Sequence, residues 1–235
     1  MLRTLKAFAL VAAVGVLVAG SVQAQTGKGS IQFNSVGSTS ACYGTTAPNN
    51  AGCWYTSPYK ARLMLTSGPT PLLPPPIFAT SGWGPVVDIY CVDFSHHVTS
   101  YAANFSSLAD PTSVATYTRA GNVAQYLKAA WLAAQLKVNP GANGAINGAI
   151  WNVMGWPLNY VGSNGTAIAT WVGYANANYT SVSASDWVVI SDANRTSGNG
   201  QEYIVNVTPE PATLLLLGSG LLAALIAAGV GRRLA

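Results

Sequence analysis

The sequence predicts an α+β fold: a mainly antiparallel β-sheet or sandwich, an inserted lobe of about three helices, and one C-terminal transmembrane helix. Three observations predict it. Apolar residues alternate with polar ones toward both ends of the central region, as in half-buried strands, and recur at helical spacing in between. Strands, then helices, then strands again argue for segregated α and β parts with an antiparallel sheet. Finally, the 19 residues from Ala212 to Val230 carry no charge. At roughly 1.5 Å per residue such a run reaches about 28 Å, close to the depth of a bilayer's hydrocarbon core.

Ser30-Ile31-Gln32-Phe33-Asn34-Ser35-Val36 alternates cleanly and reads as a first strand. Cys42 and Cys53 bracket an Asn/Gly/Pro-rich stretch that closes as a loop, and a disulfide across it contributes about 3 kcal/mol by loop entropy. Tyr59 to Thr66 is a second strand with Lys60 and Arg62 on one face. Gly68 to Pro76 holds prolines at 69, 71, 74, 75 and 76, so it is an extended connection and not a central strand. Val86 to Phe94, β-branched and aromatic, is the strongest strand, with Val98 to Leu108 placed as its hairpin partner through a turn at Ser95-His96-His97. Asn122 is placed as the cap of a helix reaching about Val138, with Val123, Tyr126, Leu127, Ala130, Trp131 and Ala134 as its apolar stripe. Asn143 is placed as the cap of a second helix that buries Ile146, Ala149, Ile150, Val153 and Met154, ending near Gly155. A third runs from about Thr166 to Tyr179, and strands return at Trp187 to Ile190 and Glu202 to Val207.

The two ends read as an address. Arg3 and Lys6 precede an apolar run, and Val22-Gln23-Ala24 supplies small residues for signal peptidase to cut between Ala24 and Gln25. The chain thus divides into a signal peptide at 1–24, an exported domain at 25–207, and a tail at 208–235 whose transmembrane helix spans 212–230. Arg232 and Arg233 act as membrane-stop charges that stay cytoplasmic. The formal charge of +4 comes from these ends, through Arg3, Lys6, Arg232 and Arg233. Seven cations face six anions in the exported part, so no nucleic acid or acidic partner is indicated. Export sets an oxidising context that favours Cys42–Cys53 and leaves Cys91 as an odd thiol.

Pro209-Glu210-Pro211-Ala212-Thr213, the apolar run and the terminal arginines resemble the PEP-CTERM protein-sorting tail of Gram-negative bacteria. The resemblance implies recognition by the membrane enzyme exosortase at Pro209, Glu210 and Pro211, an inner-membrane-anchored precursor, and later a cell-surface or extracellular location. It also implies an exopolysaccharide or biofilm-matrix partner. Within the domain, Tyr90-Cys91-Val92-Asp93 and Ile146-Asn147-Gly148-Ala149-Ile150-Trp151 resemble the thioester domains of bacterial surface adhesins. That resemblance places Cys91 at the thioester cysteine and Asn147 at its glutamine partner. Asparagine is one methylene shorter, which sets its carbonyl about 1.5 Å further from the sulfur. The expectation is a thioester-domain-like scaffold without the crosslink, serving a non-enzymatic adhesive or matrix role.

Rival chemistries use the same residues. Cys91 with His96 or His97, oriented by Asp93 or Asn152, has the makings of a cysteine-dependent enzyme, although the histidines are close in sequence. Adjacent histidines on an extended chain point to opposite faces, and no ligand cluster at zinc spacing or cofactor motif accompanies them, so neither metal nor cofactor is expected. Of the seven tryptophans, Trp131, Trp151 and Trp171 read as core, whereas Trp54 and Trp83, in Gly/Ser/Pro-rich loops, are the candidates for stacking on sugar rings.

Overall fold

A computed structural model describes residues 27–37, 39–45, 52–68, 77–156, 158–160 and 166–208. The signal peptide, the sorting motif, the 212–230 helix and most of the proline-rich connection lie outside these residues. No helix among the described residues is long and apolar enough to cross a membrane.

The protein is α+β. Its strands are β1 (Gly27–Ser35), β2 (Ser40–Thr45), β3 (Gly52–Tyr55), β4 (Tyr59–Ser67), β5 (Phe78–Ala79), β6 (Val86–Cys91), β7 (Tyr101–Ser107), β8 (Leu158–Tyr160), β9 (Trp187–Asp192) and β10 (Tyr203–Asn206). Between β7 and β9 come α1 (Pro111–Tyr117), α2 (Val123–Val138), α3 (Asn143–Val153) and α4 (Thr166–Asn178). The main sheet runs β1-β7-β9-β10-β6-β4, and β1 pairs again with β4, so it closes into an antiparallel barrel with β5 added in parallel on β4. In place of an open sheet or sandwich, the main sheet is closed on itself, which leaves the six strands of its ring without free edges, and β3-β2-β8 form a separate three-stranded sheet. Closure needs a small residue at the seam. A Cβ on Gly29 would lie 1.9 Å from the Met64 carbonyl oxygen, so β1 approaches β4 there only as glycine.

Alternation decides which side chains fill the barrel. On β4, Tyr59, Ala61, Leu63 and Leu65 are buried while Lys60 and Arg62 face solvent. The whole of β9 is buried, because the barrel interior covers one face and the helical lobe the other. Phe78 and Phe105 meet edge to face at 4.9 Å in the interior, and Tyr59 meets Tyr203 at 6.1 Å.

Several local expectations are corrected. β7 pairs with β1 and β9, not with β6, whose partners are β4 and β10. Residues 92–100 make no tight turn: the His97 N–H donates to the Asn199 carbonyl and its C=O accepts from Gln201, carrying the chain over the end of the barrel. Four α-helices stand where three were expected. The extra one, α1, starts at Asp110, whose carboxylate accepts from the Ser113 N–H, with Pro111 at its first position. Asn122 caps α2 as expected, accepting from Ala124 and Gln125. The buried stripe of α2, however, is Tyr126, Ala129, Ala130, Leu132, Ala133 and Leu136; Trp131 is half-buried and Ala134 exposed. Asn143 is the first residue of α3 rather than its cap, which falls at Ala142. The Cys42–Cys53 stretch is a hairpin rather than a plain loop. Cys42 and Cys53 are directly opposed on β2 and β3, and the structure joins them as a disulfide.

Candidate functional site

The residues singled out in the sequence converge at the β6 end of the barrel. Cys91 closes β6, fully buried, with its thiol donating to the Asp93 carbonyl at 3.2 Å. Asn147 is fully buried on α3, placed inward by the 146–151 run whose residues are all buried. One residue links them. The Ser57 hydroxyl accepts from the Cys91 N–H at 2.9 Å, and the Ser57 N–H donates to Asn147 Oδ1 at 3.0 Å. Asn147 Nδ2 donates back along its helix to the Asn143 carbonyl at 3.0 Å. Both ends of the amide are thus satisfied.

Burial pushes the Cys91 thiol from its ordinary value near 9 up to about 12. Contacts with the Asp93 backbone and the Trp151 indole pull the other way, the Asp93 and Glu202 charges add to the rise, and burial wins. The Trp151 indole N–H is itself buried without a hydrogen bond of normal geometry. Such a thiol is a small hydrophobe, not a ready nucleophile.

The histidines do not contact the sulfur in a catalytic arrangement. His96 Nδ1 lies 2.7 Å from Asp93 Oδ2 and 2.8 Å from the Ser95 hydroxyl. Asp93 also accepts from the Ser95 N–H and hydroxyl at 3.0 Å each and pairs with the Arg119 guanidinium. Asn152 sits half-buried near the end of α3. No group of His, Cys, Asp and Glu that could hold a metal ion occurs among the described residues.

Behind Asp93 lies a second buried carboxylate that the sequence reading passed over. Glu202 accepts from the Ser191 hydroxyl at 2.6 Å, from the Arg119 N–H at 3.0 Å and from the Tyr126 hydroxyl. Burial raises its pKa, and these donors oppose the rise. A signal was present: Glu202 is the one glutamate between residues 25 and 207, and it opens an apolar strand.

In front of the cluster is a cavity of about 300 Å³, between β3 and the 94–98 segment. Trp54, Tyr55, Phe94 and Trp151 give it aromatic walls, and His96, His97 and Gln201 give it polar ones. Trp54 meets Phe94 at 4.8 Å, and Phe94 meets Trp151 at 5.0 Å. Trp54 belongs to β3 rather than to a loop, next to the disulfide at Cys53. Trp83 is 40% exposed and is not among the residues lining this cavity. Trp151 is core as expected, while Trp131 and Trp171 are half-buried on the helical lobe.

These features define a barrel-and-helix domain with a closed polar centre and an aromatic cavity over it. Beyond its last strand, residues 207–233 match the PEP-CTERM protein-sorting motif. The match implies an exported protein, made as a membrane-anchored precursor and sorted by exosortase. Pro209, Glu210, Pro211, Arg232 and Arg233, like Ala24 and Gln25, lie outside the described residues. No curated protein and no solved structure matches the chain.

Proposed function

We propose that this is a non-enzymatic surface protein of a Gram-negative cell, delivered by signal peptidase and exosortase, whose ectodomain serves adhesion or the exopolysaccharide matrix of a biofilm. The sorting match at 207–233, joined directly to the last strand of a folded domain, is the observation that carries it. Burial of the Cys91 thiol supports the non-enzymatic part, because a nucleophile needs access and a lowered pKa. Glu210→Ala with cell fractionation tests the address. Loss of processing, with the precursor retained in the inner membrane, is the expected result; unchanged processing and location would reduce the tail to a simple anchor.

A covalent thioester adhesin is the second reading, favoured by Ser57 holding both Cys91 and Asn147. It requires the thiol to displace ammonia from the Asn147 amide. Intact-mass measurement of the exported protein separates the two. Loss of one ammonia, with Cys91 blocked to alkylation, establishes the crosslink; full mass with an alkylatable cysteine after unfolding establishes the scaffold.

A further inference from the structure

We infer that the cavity between β3 and the 94–98 segment is a binding site for a neutral sugar residue, with Trp54 as its stacking face and His96 as its polar anchor. The inference rests on the matrix role proposed above and names the ligand class for it.

Size is the first argument. About 300 Å³ lies at the lower end of ligand-pocket volumes, enough for one or two sugar rings and small for a peptide or a nucleotide. Lining chemistry is the second. Among the described residues that line it there is no Lys, Arg, Asp or Glu. A phosphate or carboxylate ligand finds no lysine or arginine there, since the nearby Arg119 is committed to Asp93 and the Gly198 carbonyl. An ammonium ligand finds no free carboxylate, since both Asp93 oxygens are already engaged. What remains is an aromatic wall beside imidazole, hydroxyl and amide groups, which suits the apolar faces and hydroxyl rim of a pyranose.

The polar anchor is built. His96 Nδ1 is held by Asp93 and Ser95, and Asp93 is held in turn by Arg119. This fixes the orientation of a ring that lines the cavity. The segment that carries the ring is pinned by the His97–Asn199 and Gln201–His97 backbone bonds, both 2.9 Å. On the opposite wall the Cys42–Cys53 disulfide stiffens the hairpin that presents Trp54. An oriented imidazole and a braced indole are preorganised for a ligand.

The test is titration of the full-length exported protein, in detergent, with neutral gluco-, galacto- and manno-configured trisaccharides, read by tryptophan fluorescence and saturation-transfer NMR. At least one trisaccharide is expected to bind, and Trp54→Ala and His96→Ala are each expected to weaken it at least about tenfold. Trp83→Ala, outside the cavity, should leave it unchanged. Tyr55→Ala, at a position 55% exposed, covers the case in which Trp54→Ala does not fold. The inference is overturned if none of the sugars binds at millimolar concentration, or if binding survives the cavity substitutions. Saturable binding of tetramethylammonium in place of sugar would overturn it in favour of a cationic ligand. Sorting is read separately by the Glu210→Ala fractionation, so failure of either reading leaves the other standing.

Discussion

Near pH 8, Cys91 of the folded protein should alkylate at least about a thousandfold more slowly than an exposed cysteine. The thiol's pKa moves from near 9 to about 12 on burial, and each pH unit of separation is a tenfold change in thiolate population. Iodoacetamide reacts with the thiolate, so ionisation alone sets this factor. Steric closure adds to it, because the sulfur is fully buried and reaction requires local opening. The assay is a timed alkylation in buffer and in denaturant, quantified on the Cys91 peptide by mass spectrometry, with Cys42 and Cys53 left as their disulfide. Slow labelling in buffer and rapid, complete labelling in denaturant is the expected pair of results. Labelling of the native protein at the rate of a free cysteine would refute the argument and revive a cysteine-dependent enzyme.

Three further predictions concern the packing that holds the site. A methyl group at Gly148 would sit 2.6 Å from Ile168 Cδ1 and 2.9 Å from Tyr43 Cε1, so Gly148→Ala should destabilise by about 1–3 kcal/mol in a thermal melt, and Ile168→Val, which lacks that Cδ1, should recover part of it. Arg119→Met leaves the carboxylate of Asp93, which is 4% exposed, with only Ser95 and His96 as partners; urea denaturation should show a loss of about 3–5 kcal/mol, and a loss below about 1 would mean that these partners or water compensate the charge. The folded pKa of Glu202 lies above the ordinary carboxylate value, so its contribution to stability is fully present below that ordinary value and is lost as pH rises through the raised one. Glu202→Gln should flatten urea stability against pH in that window, and an unchanged slope would place the linkage elsewhere.

Elements with strong local periodicity were legible in the sequence. β4, with alternating Tyr59, Lys60, Ala61 and Arg62, and α2, with its Asn122 cap, fall within a residue or two of where pattern and capping put them. Pairing was not legible. The β-propensity of residues 86–94 marks a strand, but its neighbours are fixed by the long connection over the barrel end and by closure of β1 on β4, which no local signal encodes. The α1 helix had its signal in Asp110-Pro111, a cap followed by a proline at the first position, and was missed because its seven residues carry too little periodicity. At the site, Cys91 and Asn147 were found by motif, whereas Ser57, which holds them, sits between strands with no pattern of its own. Arg119 and Glu202 were visible only as charges. Their roles depend on three-dimensional burial, which turns an ordinary ionisable residue into a structural one.

The strand β10 separates Gln201, which lines the cavity, from Val207, where the sorting match begins. Gln201, just before it, lines the cavity and donates its N–H to the His97 carbonyl at 2.9 Å. Val207, just after it, donates to the Asp186 carbonyl at 2.8 Å and is the first residue of the sorting match. Six residues at about 3.3 Å each put some 20 Å between the two ends. Because Tyr203, Ile204 and Val205 are buried between β9 and β6, this spacing is set by the core and not by a hinge. The described hydrogen bonds of the barrel end at Val207 and the Thr208 N–H, so none of them is made by Pro209, Glu210 or Pro211. Truncation before Glu202, by contrast, takes a shared partner from both β6 and β9 and removes the Glu202 carboxylate that Ser191, Tyr126 and Arg119 surround.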